Sequence, residues 1–431
     1  MASRGGTLGA PGAPLALGAE AAAGLRAAWR AAWRSRLVVV AAAVAGLALL
    51  GHAPGWADYD PARLTQPFGG AADLLVAPFA RWDSVWFLDI ASGGYAPEAA
   101  RAAFFPLYPA LAAIAGAPAG SPLIGGLLVS WGALLAGLAA VHRLAARDLG
   151  ERYAAPALMV LAWFPSSLFL SAAYSESLFL ALSAGTFLAA RRGAWACAGV
   201  LGALAAATRS TGVLLVVPLL LIALYGPRED RPDVAAPPRR GRRARHAPGP
   251  ELAWIALVPV GLGTYLGYLA LAGLDPLEPF RAQAAWMREL SVPLAGVGQG
   301  LHAGWEGVLR LAGGGPLDWR AGGGDPLQDA ALNVLLAGFL LGALALMGCV
   351  VRRLPPAYGA WAALSLAVPL SAPVATQPLM SLPRFLAVCF PLQMALAAWA
   401  LDRGVLRPLL ALSGAGLAGL SVVWGTWTFI A

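Results

Sequence analysis

Apolar runs of near-membrane length alternate with short polar stretches from Leu37 to the end of the chain. A helix rises 1.5 Å per residue, so crossing a hydrocarbon layer of ~30 Å takes about 20 apolar residues. The pattern predicts helical spans near 37–50, 121–144, 154–172, 177–190, 194–207, 213–225, 252–272, 331–351, 358–372, 385–401 and 409–430. That makes an all-α, polytopic membrane protein of about eleven transmembrane helices. The spans at 177–190 and 194–207 are short and read as a hairpin. The run 104–117 covers about half a bilayer and contains Pro106 and Pro109.

Charge decides how that last run is treated. If it does not cross, Arg143, Arg147 and Arg152, the pair Arg191 and Arg192, the block from Arg228 to Arg245, Arg352 with Arg353, and Arg403 with Arg407 all share the cytoplasmic side. That distribution follows the positive-inside rule. The segment 104–117 is therefore expected to be re-entrant or interfacial, with the N-terminus inside.

The organisation that follows has four parts. Residues 1–36 read as a disordered basic cytoplasmic tail. Residues 37–226 form an N-terminal membrane module whose first outer loop, 52–103, holds the candidate chemistry. An Arg- and Pro-rich cytoplasmic linker occupies 227–250. A C-terminal membrane module, 251–431, carries an outer loop at 273–330.

Composition sharpens this picture. The 431 residues are 59% hydrophobic and 12% charged, about half the charge of a soluble domain. The formal net charge of +8 comes from arginine clusters between apolar runs, which points to topology and not to nucleic acid. No glycine-rich loop with a lysine and no Ser-His-Asp pattern is visible. No 20–50-residue repeat supports a transporter built on inverted halves. Cys197, Cys349 and Cys389 lie in apolar runs and read as free thiols.

The polar residues that remain near the outer boundary are few. Asp83 sits among Trp82, Trp86 and Phe87, where a carboxylate is costly unless something uses it or Arg81 pairs with it. Asp89 reads as a structural ion-pair residue. Tyr174 and Glu176 end the third span, where Glu176 suits either a helix start or a binding role. Arg209 and Arg384 are isolated outer arginines, and a guanidinium offers a fork of donors matched to phosphate. Gln283 stands in the second outer loop. Parity of crossing puts Asp83, Glu176, Arg209, Gln283 and Arg384 on one face. Asp58 and Asp60 read as a solvated turn, and no metal or cofactor is expected.

Five strings occur in order: Trp82-Asp83 with Phe87, Gly94-Tyr95 and Phe104-Phe105-Pro106-Leu107-Tyr108-Pro109; Pro165-Ser166-Ser167 with Ser171 through Ser177; Arg209-Ser210-Thr211-Gly212; Gln283 with Trp286; and Pro383-Arg384-Phe385 before Phe390-Pro391. From Arg81 to Pro391 the chain resembles the PIG-V family of mannosyltransferases. Thr211 departs from an expected Asn, and Phe385 from a common Tyr. The resemblance implies a GT-C glycosyltransferase fold and a polyprenyl-phosphate mannose donor. It leaves the acceptor, whether glycan, lipid or protein, open. The expected location is a bacterial inner membrane, with the site on the extracytoplasmic face to which charge parity assigns these residues. In that reading Asp83 is the base, Arg209 and Arg384 hold the donor phosphate, and Gln283, Glu176, Trp82 and Tyr174 shape the donor pocket. A lipid-linked sugar flippase, an envelope-assembly scaffold, and the same enzyme class with arabinose or glucose as donor sugar are the alternatives.

Overall fold

The computed structural model describes residues 13–95, 98–231, 244–315 and 325–430. Among these the chain is helical, and the one sheet-like contact is an isolated antiparallel bridge between Arg288 and Val374. The helices that frame the molecule are α1 (Ala13–Leu50), α2 (Asp83–Gly93), α3 (Leu107–Gly116), α4 (Pro122–Asp148), α5 (Ala154–Trp163), α6 (Glu176–Arg191), α7 (Trp195–Ala206) and α8 (Val216–Tyr225). They continue with α9 (Val258–Leu271), α10 (Ala295–Gly313), α11 (Pro326–Arg353), α12 (Pro356–Leu370), α13 (Leu382–Val388), α14 (Phe390–Asp402) and α15 (Leu406–Gly425).

Among the described residues, five helical stretches are long and apolar enough to cross a membrane: Ala22–Leu50, Pro122–Asp148, Glu251–Leu271, Pro326–Arg353 and Leu406–Gly425. The pair α13 and α14, bent by 78° at its break, makes a sixth if it is one span. The chain is thus a polytopic helical membrane protein. Length alone carries five or six crossings of the expected eleven. Several other expected spans are apolar helices of 10–17 residues, among them Trp195–Ala206, Ser210–Tyr225 and Pro356–Leu370.

Three features of the apolar pattern resolve differently in three dimensions. The expected tail is helical from Ala13 onward, because its alanine-rich sequence has the strongest intrinsic helix preference; residues 1–12 lie outside the described residues. The run 154–172 stops being α-helical at Trp163, where Pro165 starts a 3-10 turn, Pro165–Leu170. The run 385–401 breaks at Cys389, next to Pro391. Most of the linker's arginines, Arg239, Arg240, Arg242 and Arg243, lie outside the described residues.

The break after α5 frees backbone carbonyls inside the protein, and Arg36 reaches them. Its guanidinium, 1% exposed, donates to Ala162 O at 2.9 Å, to Ser167 Oγ at 2.7 Å and to Ser167 O. Buried carbonyls left without donors are costly, so Arg36 serves as an internal plug here and not only as a topology anchor.

The segment 104–117 forms α3, which at 10 residues reaches only about 15 Å. It folds back against α4 with no room between the backbones. A Cβ at Gly125 would lie 2.0 Å from Ala112 O, so only glycine allows that hairpin to close.

The arginine clusters meet at one end of the bundle. Arg191, at the end of α6, pairs with Asp148 at the end of α4, and the Tyr358 hydroxyl donates to the same carboxylate. Arg152 and Arg353 converge on Asp402, at the end of α14. Arg228 binds Asp230 and Glu251.

Candidate active site

The opposite ends of the same helices carry the other charged group. Glu176 starts the 16-residue α6 that ends at Arg191, so about 22 Å of helix separates the two. Arg384 stands in α13, just before α14 runs on to Asp402.

Each site residue is set by a local irregularity. Trp82 precedes α2 with φ at 50°, a left-handed value that side chains avoid. This sharp entry leaves Asp83 as the first residue of the helix. The Asp83 N–H donates to the Tyr174 hydroxyl at 3.1 Å, and that hydroxyl donates to Arg81 O at 3.2 Å. Ala173 N–H bonds Phe79 O at 2.8 Å, tying the two strings together. Ser166 Oγ donates to Pro383 O at 2.6 Å, which fixes α13 against the 3-10 turn. Arg209 enters another 3-10 turn, Ser210–Leu215, in extended conformation. A Cβ at Gly212 would meet Ala205 O at 2.4 Å, so this turn sits directly on the end of α7.

Arg384 is the centre of the cluster. Its Nη1 lies 2.5 Å from Asp83 Oδ2, and its Nε lies 2.7 Å from Glu176 Oε1. Arg209 Nη1 donates to the same Glu176 oxygen at 2.6 Å. The Arg384 guanidinium stacks 5.1 Å above the Tyr174 ring. Glu176 is fully buried, with its side chain 1% exposed, whereas Asp83 keeps 21% of its side chain accessible. The second Glu176 oxygen, Oε2, is buried without a hydrogen-bond partner among the described residues. Asp83 Oδ1 takes no part in the ion pair. The arrangement therefore offers a partly exposed carboxylate, an unfilled buried acceptor, and arginines between them.

The structure brings Asp83, Tyr174, Glu176, Arg209 and Arg384 together. Trp82 points elsewhere, into an aromatic group with Tyr59, Trp427 and Phe429. No side-chain hydrogen bond joins Gln283 to the charged cluster among the described residues; its neighbour Trp286 packs on Trp86 and Phe104. Arg81 does not neutralise Asp83. It is buried and donates to the carbonyls of Ala77, Ala80 and Gly425. Asp89 has the structural role expected of it and pairs with Arg101 at 2.6 Å. Asp60 is not a solvated turn residue: it is 1% exposed and accepts from Leu64 N, Thr65 N and Thr65 Oγ1.

Sequence reasoning missed Arg288. This half-buried residue lies beyond Gln283 and Trp286 and donates to Met380 O at 2.6 Å. Its guanidinium lies 5.9 Å from the Phe385 ring, which also faces Arg209 at 5.4 Å and Arg384 at 6.0 Å. The available signal was its spacing from the Gln283 string, but an outer-loop arginine beside Glu289 reads as an ordinary surface charge.

Residues 69–225 match the family model described as Mannosyltransferase (PIG-V). Over that stretch, somewhat more than a third of its length, the chain is similar to the PIG-V family. Asp83, Tyr174, Glu176 and Arg209 lie inside the matched stretch, whereas Arg288 and Arg384 lie beyond it. The chain is 36% identical over 174 residues to GPI alpha-1,6-mannosyltransferase 2 of Rattus norvegicus, covering 37% of this chain and 35% of that protein. The Mus musculus protein of the same name is 37% identical over 170 residues, 36% of this chain and 34% of its own length. The chain thus spans about a third of the length of the curated relatives it matches. No solved structure matches it.

Proposed function

We propose that this chain is a PIG-V family member and a membrane mannosyltransferase of the GT-C class. It moves mannose from polyprenyl-phosphate mannose to an acceptor hydroxyl on the non-cytoplasmic face of a bacterial inner membrane. The observation that carries this reading is the bridge from Arg384 to Asp83 and Glu176. It joins residues far apart in sequence at the end of the bundle opposite the arginine clusters. That separation supports an outward-facing site, because the arginine-rich end is the one retained inside. The two-module division around 227–250 and the expected spans beyond the long helices belong to the same proposal.

In the proposed reaction the acceptor oxygen attacks the anomeric carbon as the bond from that carbon to phosphate oxygen breaks. The acceptor proton passes to Asp83 Oδ1, acting as general base. The leaving group is polyprenyl phosphate, which takes the bonding electron pair and one more negative charge. Arg384 and Arg209 lie where that charge develops, and preorganised cations there lower the barrier. The unfilled Glu176 Oε2 suits a hydroxyl of the sugar, since a buried acceptor gains most from a donor. Gln283, Trp82 and Tyr174 complete the proposed donor pocket. Tyr174 acts by holding the Asp83 backbone, and the other two require the bound donor to reach them.

Membranes containing the wild-type chain, given radiolabelled polyprenyl-phosphate mannose, are expected to pass label to an acceptor fraction. Asp83→Asn membranes, with equal protein, are expected not to. Label that crosses the membrane still attached to polyprenyl phosphate would instead identify a flippase. Full transfer by Asp83→Asn would remove Asp83 as the base.

A further inference from the structure

Three guanidinium groups converge on one phenyl ring. Arg209, Arg288 and Arg384 all lie within 6.0 Å of Phe385. The carboxylates in that group are Asp83 and Glu176. Both are engaged by Arg384, and Glu176 also by Arg209. Three positive and two negative charges leave the group at +1. Arg288 is the one of the three with no ion-pair contact to a carboxylate among the described residues, although Asp83 lies close enough to act on it; its Nη2 and Nη1 donate to the carbonyls of Met380 and Ala372, at 2.6 and 3.4 Å. A half-buried excess positive charge is costly and invites an anion.

We infer that Arg288 is the principal ligand of the phosphate group on the lipid-linked substrate, with Arg209 and Arg384 held chiefly by the site's carboxylates. The inference rests on the proposed transferase reading and names which cation the phosphate meets. A sugar phosphodiester carries one negative charge, matching the excess of one. After transfer the phosphate is a monoester with a second ionisation near pH ~6, at about −1.5 to −2 at neutral pH. The cluster's surplus charge therefore favours the departing group over the intact donor. Arg288 remains a cation throughout: burial, and next the nearby Arg384, push it down only to about 10. The loop carrying Arg288 and the one entering α13 are held side by side by the bridge to Val374, so the guanidinium is positioned before any ligand arrives.

The test uses the full chain in lipid nanodiscs. Affinity is measured for undecaprenyl phosphate, undecaprenol and inorganic phosphate between pH 5 and pH 8, alongside transfer from polyprenyl-phosphate mannose. Wild-type protein is expected to prefer undecaprenyl phosphate to undecaprenol, and to bind it more tightly as pH rises through the second ionisation. Arg288→Gln is expected to weaken phosphate binding by roughly tenfold or more, the scale of a charge-assisted hydrogen bond. Undecaprenol binding should not change. Arg288→His is expected to reverse the pH trend, because imidazole loses its charge near pH ~6.5.

A role limited to stapling the two loops would weaken undecaprenol and undecaprenyl phosphate binding alike and leave the pH trend in Arg288→His as in wild type. Either result overturns the inference. Arg288-dependent binding of inorganic phosphate, with no gain from the prenyl chain, overturns the assignment to a lipid substrate. Transfer by Arg288→Gln with unchanged kcat and KM defeats the inference while the transferase reading stands. Arg288-dependent binding of undecaprenyl phosphate by a wild type that transfers no mannose defeats the transferase reading while the inference stands.

Discussion

The two ends of α6 hold two buried charged clusters that differ in balance. At the Arg191 end one arginine meets one carboxylate, Asp148, with the Tyr358 hydroxyl as a further donor. At the Glu176 end three arginines surround two carboxylates, and Glu176 Oε2 has no partner. Both clusters have desolvated charges, and desolvation is repaid only when every charge is paired. In charge the Arg191 cluster meets that condition from within the protein, although Arg191 Nη1 is also buried without a hydrogen-bond partner among the described residues. The Glu176 cluster carries one positive charge more than its carboxylates balance, which fits the proposed anionic ligand. The lesson is that burial of charge does not by itself separate the two ends; the balance of charge within the burial does.

The comparison breaks most severely if Asp83 is dispensable. Asp83→Asn is expected to lower mannose transfer by about 10³-fold, the scale of a lost general base, while leaving the thermal unfolding temperature in detergent nearly unchanged. The next effect should combine both quantities. Arg384→Gln leaves Glu176 with Arg209 alone and Asp83 unpaired. It is expected to cut transfer about 10²-fold and to cost about 3 kcal/mol of stability, read by denaturation of the same preparation. Arg384→Lys should not restore transfer, because a single ammonium cannot span both carboxylates.

At the other end the separation should reverse. Asp148→Asn is expected to cost about 3 kcal/mol, since it leaves Arg191 buried without its counter-ion. Turnover per folded molecule should stay within about twofold, because no part of the Arg191 cluster reaches the site; loss of turnover without loss of stability would end the distinction between the two ends.

The smallest effect is expected at the edge of the arginine-rich end. The hydrogen bond from Arg228 holds the Asp230 carboxyl below its ordinary pKa, against the opposing effect of burial. A folded-state pKa below the unfolded one gives stability above the ordinary carboxylate range and loses it as pH falls through the lowered value. Thermal unfolding should therefore ease below about pH 4, and Arg228→Gln should flatten that acid limb.

Much of the charged cluster proposed as the site was legible before any fold was known. Asp83, Glu176, Arg209 and Arg384 are charges next to apolar runs, and such placements are too costly to be common. Arg288 was illegible because it stands beside Glu289 in a loop whose neighbouring positions are exposed. Only the packing of that loop onto the entry to α13 turns it inward. Arg36 misled in the opposite direction. In sequence it belongs to a basic series with Arg26, Arg30 and Arg34, yet it alone enters the interior, because Pro165 in another element breaks the helix and frees carbonyls at that depth. Asp60 was misread for a related reason: its donors are the N–H groups of the following turn, which exist only once that turn has formed.

The helical, membrane-embedded character was fixed by composition and run length, since a chain this apolar must satisfy its own backbone hydrogen bonds within lipid. The clustering of arginines at one end was likewise written in the order of charges and spans. The tertiary structure decided where apolar runs break, at Pro165 and beside Pro391, and which cations have carboxylates to themselves. Those outcomes depend on distances between segments hundreds of residues apart, such as the 2.5 Å contact of Arg384 with Asp83. A linear pattern holds no measure of such distances.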